Sequence, residues 1–297
     1  MEPGRLDVRL GTSIAYGVAE HLAECPDLGP ECEDPVPPVP YHHRVELIAS
    51  DVNLDLSYGV TSWFAAEARL SLRIVDTTPT YREQDGTPKL VPDDIHHHDR
   101  TIVGPGDAWL VGRLAGVAGK LVAAARLGVT VPLGGIEPDP YELASRGQWH
   151  EHTQLGTGTM MPIVGLGLSY DTGPVELAAS ALGFFSLYEN RHGFRAPARY
   201  FGGMRGSLPL LGGKLVPFVA VDFAHETNEI WNGAPGLEGN TQRTDLLVGG
   251  GLSWEFVERF RVELAGRARV GRFATGVSFD TPGFVQLSVS TFFDGLR

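Results

Sequence analysis

Residues 244–271, TDLLVGGGLSWEFVERFRVELAGRARVG, restrict the fold more than any other stretch of this chain. Leu246, Val248, Gly250, Leu252, Trp254 and Phe256 share one parity. After a turn at Val257, Glu258 and Arg259, the apolar set continues as Phe260, Val262, Leu264, Gly266, Ala268 and Val270. The other parity reads Asp245, Leu247, Gly249, Gly251, Ser253 and Glu255, then Arg261, Glu263, Ala265, Arg267 and Arg269. Side chains alternate faces along a strand, so this is a β-hairpin with one apolar wall and one small or charged wall. A helix would scatter Arg261, Arg267 and Arg269 around its axis and bury some of them. Each arm runs to roughly a dozen residues, whereas strands in soluble sheets average ~5–6. A tilted strand needs ~9–11 residues to cross a bilayer, with aromatics at the headgroups, and Trp254, Phe256 and Phe260 gather at the turn as such a girdle would.

The same alternation recurs along the chain. Leu6, Val8, Leu10, Ile14 and Tyr16 oppose Arg5, Asp7, Arg9 and Ser13; Leu110 and Leu114 oppose Arg113; Val164, Leu166 and Leu168 oppose Ile163, Gly165 and Gly167. Reading every segment this way predicts an all-β, transmembrane, antiparallel up-and-down barrel of about twelve strands, an even number as in bacterial outer-membrane barrels. Connections alternate long and short. Segments 18–43, 76–106, 132–157 and 227–243 read as external loops, the short links as periplasmic turns, and residues 1–297 as one domain. A soluble sandwich has no reason to place all its long loops on one side.

Bulk properties hide this architecture. The chain is 42% hydrophobic with a mean hydropathy of −0.05, because only every second strand residue would face lipid. No run of ~18 apolar residues reads as a spanning helix. The formal net charge of −12 argues against nucleic acid as a partner. The acidic excess falls in the loops, leaving a mixed lumen under an acidic rim. An outer-membrane barrel must be exported, so the opening Met-Glu-Pro-Gly implies a leader removed or omitted, with Met1 as a replacement start; a soluble protein that never had one is the alternative.

Inward parity selects the candidate lumen residues: Arg5, Arg9, Asp51, Asp55, Glu67, Arg69, Arg73, Arg113, Arg126, Arg205, Asp222, Arg261, Glu263, Arg267 and Arg269. Closure of the first strand on the last would make Arg5, Arg9, Arg261, Arg267 and Arg269 neighbours. They form either a ladder that attracts anions or a salt-bridge lattice, with Asp7 and Glu263, that fills the barrel.

Other chemistry is sparse. Cys25 and Cys32 lie in an acidic, proline-rich loop, where an exported protein would use a disulfide as a staple. His96, His97 and His98 with Asp99 are a metal-site candidate, although adjacent histidines point to opposite faces and a second loop would have to help; hydrated loop histidines are the plainer expectation. No GxSxG, GK[ST] or HExxH pattern occurs, and no His is followed at two by Ser, so no enzyme is expected and no cofactor.

Two segments carry a resemblance. HEHTQLGTGTMMPIVGLGLSYD, residues 150–171, resembles the H-x-Q-L-G-T/S-G-T…P…G-L-x-Y signature of outer-membrane β-barrel proteins labelled as meta-pathway phenol-degradation or transporter proteins. HHHDRTIVGPGDAWL, residues 96–110, resembles that family's segment leading into a G-x-G-D strand. The resemblance implies an outer-membrane channel of undefined substrate. It departs at the C-terminus, where Phe293 is followed by Asp-Gly-Leu-Arg instead of closing the chain on an aromatic. The expected function is passive passage of small, unidentified solutes, with outer-membrane lipid and lipopolysaccharide around the barrel. The alternative is a non-conducting barrel that anchors envelope protein partners.

Overall fold

The computed structural model describes residues 2–23, 41–89, 99–236, 242–274 and 279–295. Its strands are β1 (Leu6–Ala23), β2 (Tyr41–Gly59), β3 (Phe64–Arg82), β4 (Arg100–Pro105), β5 (Ala108–Ala118), β6 (Leu121–Val131), β7 (Pro162–Asp171) and β8 (Glu176–Phe184). They continue as β9 (Phe194–Arg195), β10 (Arg199–Ser207), β11 (Leu215–Glu226), β12 (Ile230–Trp231), β13 (Ala234–Pro235), β14 (Arg243–Val257), β15 (Phe260–Ala274) and β16 (Asp280–Phe293). A one-turn-and-a-half helix, α1, spans Pro140–Ser145.

Sequential barrel strands pair antiparallel, and β1 pairs with β16 from Leu6↔Phe293 to Val18↔Asp280, so the sheet closes. The barrel has twelve strands, because β4 and β5 are one strand broken at Gly106 and Asp107. Arg69 faces Trp109 and Leu72 faces Pro105, so two residues of β3 oppose three on the broken strand. This extra residue is a β-bulge, a device that bends a strand and re-aims a side chain. The short β2-to-β3, β5-to-β6, β7-to-β8, β10-to-β11 and β14-to-β15 turns gather at one rim with the start of β1 and the end of β16, and the long connections at the other.

The wall is not of even height. β1, β2 and β3 have 18, 19 and 19 residues, whereas β8 and β10 have 9 each. The segments expected as loops at 18–43 and 76–106 are therefore partly strand: β1 runs on to Ala23, β2 begins at Tyr41, β3 reaches Arg82, and β4 starts at Arg100. Strand ladders continue beyond membrane height here because cross-strand pairing persists, which apolar alternation does not report.

The outer wall is apolar. Leu10, Ile14, Leu110, Leu166, Val219 and Leu264 are each more than half exposed. Trp63, Tyr170, Trp254, Phe256, Phe260 and Phe293 stand exposed near the turn rim. An apolar surface continuous around a barrel far exceeds the patch of ~300–600 Å² found on soluble monomers, and hydrocarbon is the solvent that suits it. Among the described residues no helix is long and apolar enough to cross a membrane.

Candidate functional site

The inward parity builds two arginine–carboxylate clusters. On the β2, β3, β5 and β6 side, Asp55 holds Arg69 at 2.5 Å, and Glu67 is shared by Arg113 and Arg126, both at 2.9 Å. On the β1, β10, β11 and β15 side, Glu263 is shared by Arg205 at 3.2 Å and Arg9 at 3.6 Å, while Arg267 pairs with Asp222. Arg205 and Arg267 also flank the ring of Phe218, their guanidinium carbons 3.5 and 5.8 Å from its centroid. Nearer the turn rim, Arg261 meets Glu255 at 3.2 Å and Arg5 meets Asp7 at 2.8 Å.

Arg5, Arg9, Arg261 and Arg267 line one cavity, but each has its own carboxylate partner. Arg9 is on β1, with Arg5 just before it, and Arg261, Arg267 and Arg269 are on β15; β16 runs between, so Arg9 and Arg261 stand level on either side of Ser290 without touching as adjacent strands would. Arg269 turns away to Asp280 near the loop rim. Arg73 pairs with Asp51 at 3.2 Å and donates to the carbonyl oxygens of Gln154 and Leu155, so this pair supports a loop instead of lining open space.

That loop is part of a cap. Residues 132–161 fold across the barrel interior and are tied to three neighbours. Gly134 and Thr157 bond to Asp107 at the bulge; Asn190 Nδ2 donates to the carbonyl of Thr157 at 3.1 Å; and Asp139, the N-cap of α1, accepts from Asn232 Nδ2 at 2.6 Å. Gly134 and Gly156 cross so closely that a Cβ on Gly156 would lie 2.6 Å from the Gly134 Cα and 2.5 Å from Asp107 Oδ1. Only glycine fits such a crossing. The underside of the cap is apolar: Met161, Ile163, Phe184, Phe194, Ala196 and Trp231 form a buried cluster with Trp109, Val111, Tyr141 and Leu182 against it.

Two histidines outside the His96–His98 run are buried instead of hydrated. His150 is buried, with Nδ1 3.0 Å from the Gln148 carbonyl oxygen and its ring 5.1 Å from that of His152. His43 is buried too, stacked on Tyr81 at 4.7 Å. His96, His97 and His98, like Cys25 and Cys32, lie outside the described residues; Asp99 is exposed. Among the described residues no group of three His, Cys, Asp or Glu side chains is placed to hold a metal ion.

Below the cap lies a cavity of about 1130 Å³. It extends from Arg5, Arg259, Arg261 and Phe292 at the turn rim to Ile163, Leu182, Trp109 and Val111 under the cap. Its ceiling is aromatic: the Arg69 guanidinium lies 4.3 Å from the Trp109 ring, and Trp109 and Phe201 line the cavity with the buried Phe184 between them, 4.7 Å from Trp109 and edge-on to Phe201 at 6.1 Å. None of these aromatic side chains is among the charged lumen candidates that inward parity selects. The signal was present, since Trp109, Ile163, Phe184, Phe201 and Phe218 all occupy inward positions, on β5 and, beyond β6, on the consecutive strands β7, β8, β10 and β11.

Fold and wall together define the class: a twelve-stranded closed β-barrel of the outer-membrane type, with a charged and capped lumen. Among solved structures the chain is similar to an outer membrane channel from Pseudomonas putida F1, at 11% identity and a TM-score of 0.59, over 99% of this chain and 97% of that one. It is also similar to a TodX mutant described as a monoaromatic hydrocarbon channel, at 10% identity and a TM-score of 0.49 over 99% and 91%. A third is CymD, described in the same terms, at 10% identity and 0.45 over 100% and 90%. At such identity the likeness to the Pseudomonas channel establishes the fold. No protein-family model matches the chain, and no curated protein matches it in sequence. The resemblance to the phenol-degradation family thus stays with the two segments that carry it.

Proposed function

We propose that this chain is an outer-membrane channel for small solutes, closed at the loop rim by its cap and selective through its lumen charges. The observation that carries this reading is the cavity of about 1130 Å³ held inside an apolar wall and lined by ionised side chains. A barrel that served only as an anchor could fill this space with packed apolar side chains, which need no ion pairing. The cap then acts as the gate, and Asp107 as its fastening. Phenolic solutes are the first to try, on the strength of the resemblance in residues 96–110 and 150–171. In this reading lipid and lipopolysaccharide surround the wall.

Reconstitution in planar bilayers tests it. Discrete conductance steps are expected, growing when Asp107 is replaced by Ala. A barrel that stays sealed in both forms would instead favour the second reading, a structural barrel in an envelope assembly, which the three-loop cap and the extensive ion pairing support. Recovery of a stoichiometric envelope protein in mild detergent would then be expected.

A further inference from the structure

Charge around the cavity does not balance. Among the described residues that line it are eight arginines and five carboxylates. Part of the excess is met from outside the lining, since Arg259 pairs with Asp294 at 3.5 Å and Arg9 with Glu263. The part that remains is local: Glu67 serves both Arg113 and Arg126, and Glu263 serves both Arg205 and Arg9. One carboxylate neutralises one guanidinium, so each cluster keeps a net positive charge. Arg9 and Arg126 both line the cavity, and their side chains are 47% and 33% exposed, so neither is sealed within its pair. Guanidinium groups in this state present paired N–H donors that match a carboxylate. Partial exclusion of water strengthens that attraction.

The upper part of the same cavity has the opposite character. Trp109, Ile163, Leu182 and Phe201 line it under a cap that is itself apolar beneath. A small inorganic anion would use only the arginines, and a neutral hydrocarbon only the ceiling. We infer that the cavity binds an organic monoanion with a compact apolar body, the carboxylate among the arginines and the body against the aromatic ceiling. This deepens the channel reading and rests on it for how the ligand arrives; binding itself needs only the cavity.

The experiment is a calorimetric titration of the full chain in detergent at low salt, with benzoate, benzamide and acetate as probes. Benzoate keeps both features, benzamide lacks the charge, and acetate lacks the ring. Benzoate is expected to bind about tenfold or more tightly than either, the equivalent of one charge-assisted contact or one buried apolar group. Arg9→Gln together with Arg126→Gln should weaken benzoate by at least about tenfold and leave benzamide unchanged. Glu263 and Glu67 keep Arg205 and Arg113 in that variant, which favours folding. Equal binding of benzamide or of acetate to the wild type would overturn the inference, and this comparison needs no variant. Benzoate binding without conductance in bilayers would retain the site and remove the channel. Conductance without benzoate binding would retain the channel and remove the site.

Discussion

Asp107 Oδ2 accepts both the backbone N–H and the hydroxyl of Thr157, at 2.8 and 2.7 Å, while its Oδ1 accepts the N–H of Gly134 at 3.0 Å. The pair is fifty residues apart in sequence and joins the two segments that carry the family resemblance, 96–110 and 150–171. The bulge between β4 and β5 aims the carboxylate inward, and the Gly134–Gly156 crossing brings the loop to it. A wall defect and a loop motif are thus two halves of one fastening.

Breaking that fastening should loosen the cap. Asp107→Ala and Thr157→Val are each expected to raise conductance and to expose residues 132–161 to protease. Their stability effects should couple by about 1–3 kcal/mol in a double-mutant cycle of urea unfolding from lipid vesicles. Strictly additive effects would mean that the two residues act separately.

The facing of β15 is open to direct test. Leu264 is 54% exposed on the outer wall, so Leu264→Arg should cost ~2–4 kcal/mol in folding into bilayers, read from heat-modifiable mobility on gels. Arg267 is a poor lumen control, because its side chain is only 11% exposed and clamps Asp222. Arg9→Leu is the better one: Glu263 retains Arg205, and folding should proceed nearly as in the wild type. Equal loss in both variants would contradict the assignment of faces. The wild type itself should need detergent to stay dispersed.

Glu67 governs the charge of its cluster, since it alone faces both Arg113 and Arg126 at 2.9 Å. Glu67→Gln should shift the reversal potential in a salt gradient toward anions and lower stability by about 1–3 kcal/mol, as expected where one partner of a charged hydrogen-bonded pair is removed. A shift toward cations would place the cluster outside the conduction path.

Orientation can be read by labelling. In a background with Cys25 and Cys32 replaced by Ser, Gln84→Cys lies in the β3-to-β4 connection and Glu258→Cys in the β14-to-β15 turn, at opposite rims. A membrane-impermeant thiol reagent should reach residue 84 in intact cells, and residue 258 only after the outer membrane is disrupted. The reverse pattern would invert the barrel.

The period-two alternation of segments such as 244–271 was enough to determine the wall: which side chains meet lipid, how many strands close, and which rim collects the long connections. Those properties are local, because a strand's facing follows from parity and its crossing length from residue count. Facing also put Arg9, Glu67 and Arg126 in the lumen, but not which carboxylate each would meet. Arg126 and Glu67 are 59 residues apart, and Arg205 and Glu263 are 58 apart. Such pairings depend on strand register and on closure of the ring, and no repeat in the sequence encodes them.

The cap was less legible still. Residues 132–161 have no period, and their path follows from contacts made only after the barrel exists: Asp107 with Thr157, Asp139 with Asn232, and two glycines in van der Waals contact. Sequence alone determined the barrel, because lipid solvation acts on each strand residue by residue. Tertiary structure decided that Ile163, Phe201 and Trp109 become a ceiling and that His150 is buried, because burial there is conferred by loops folding back from distant parts of the chain.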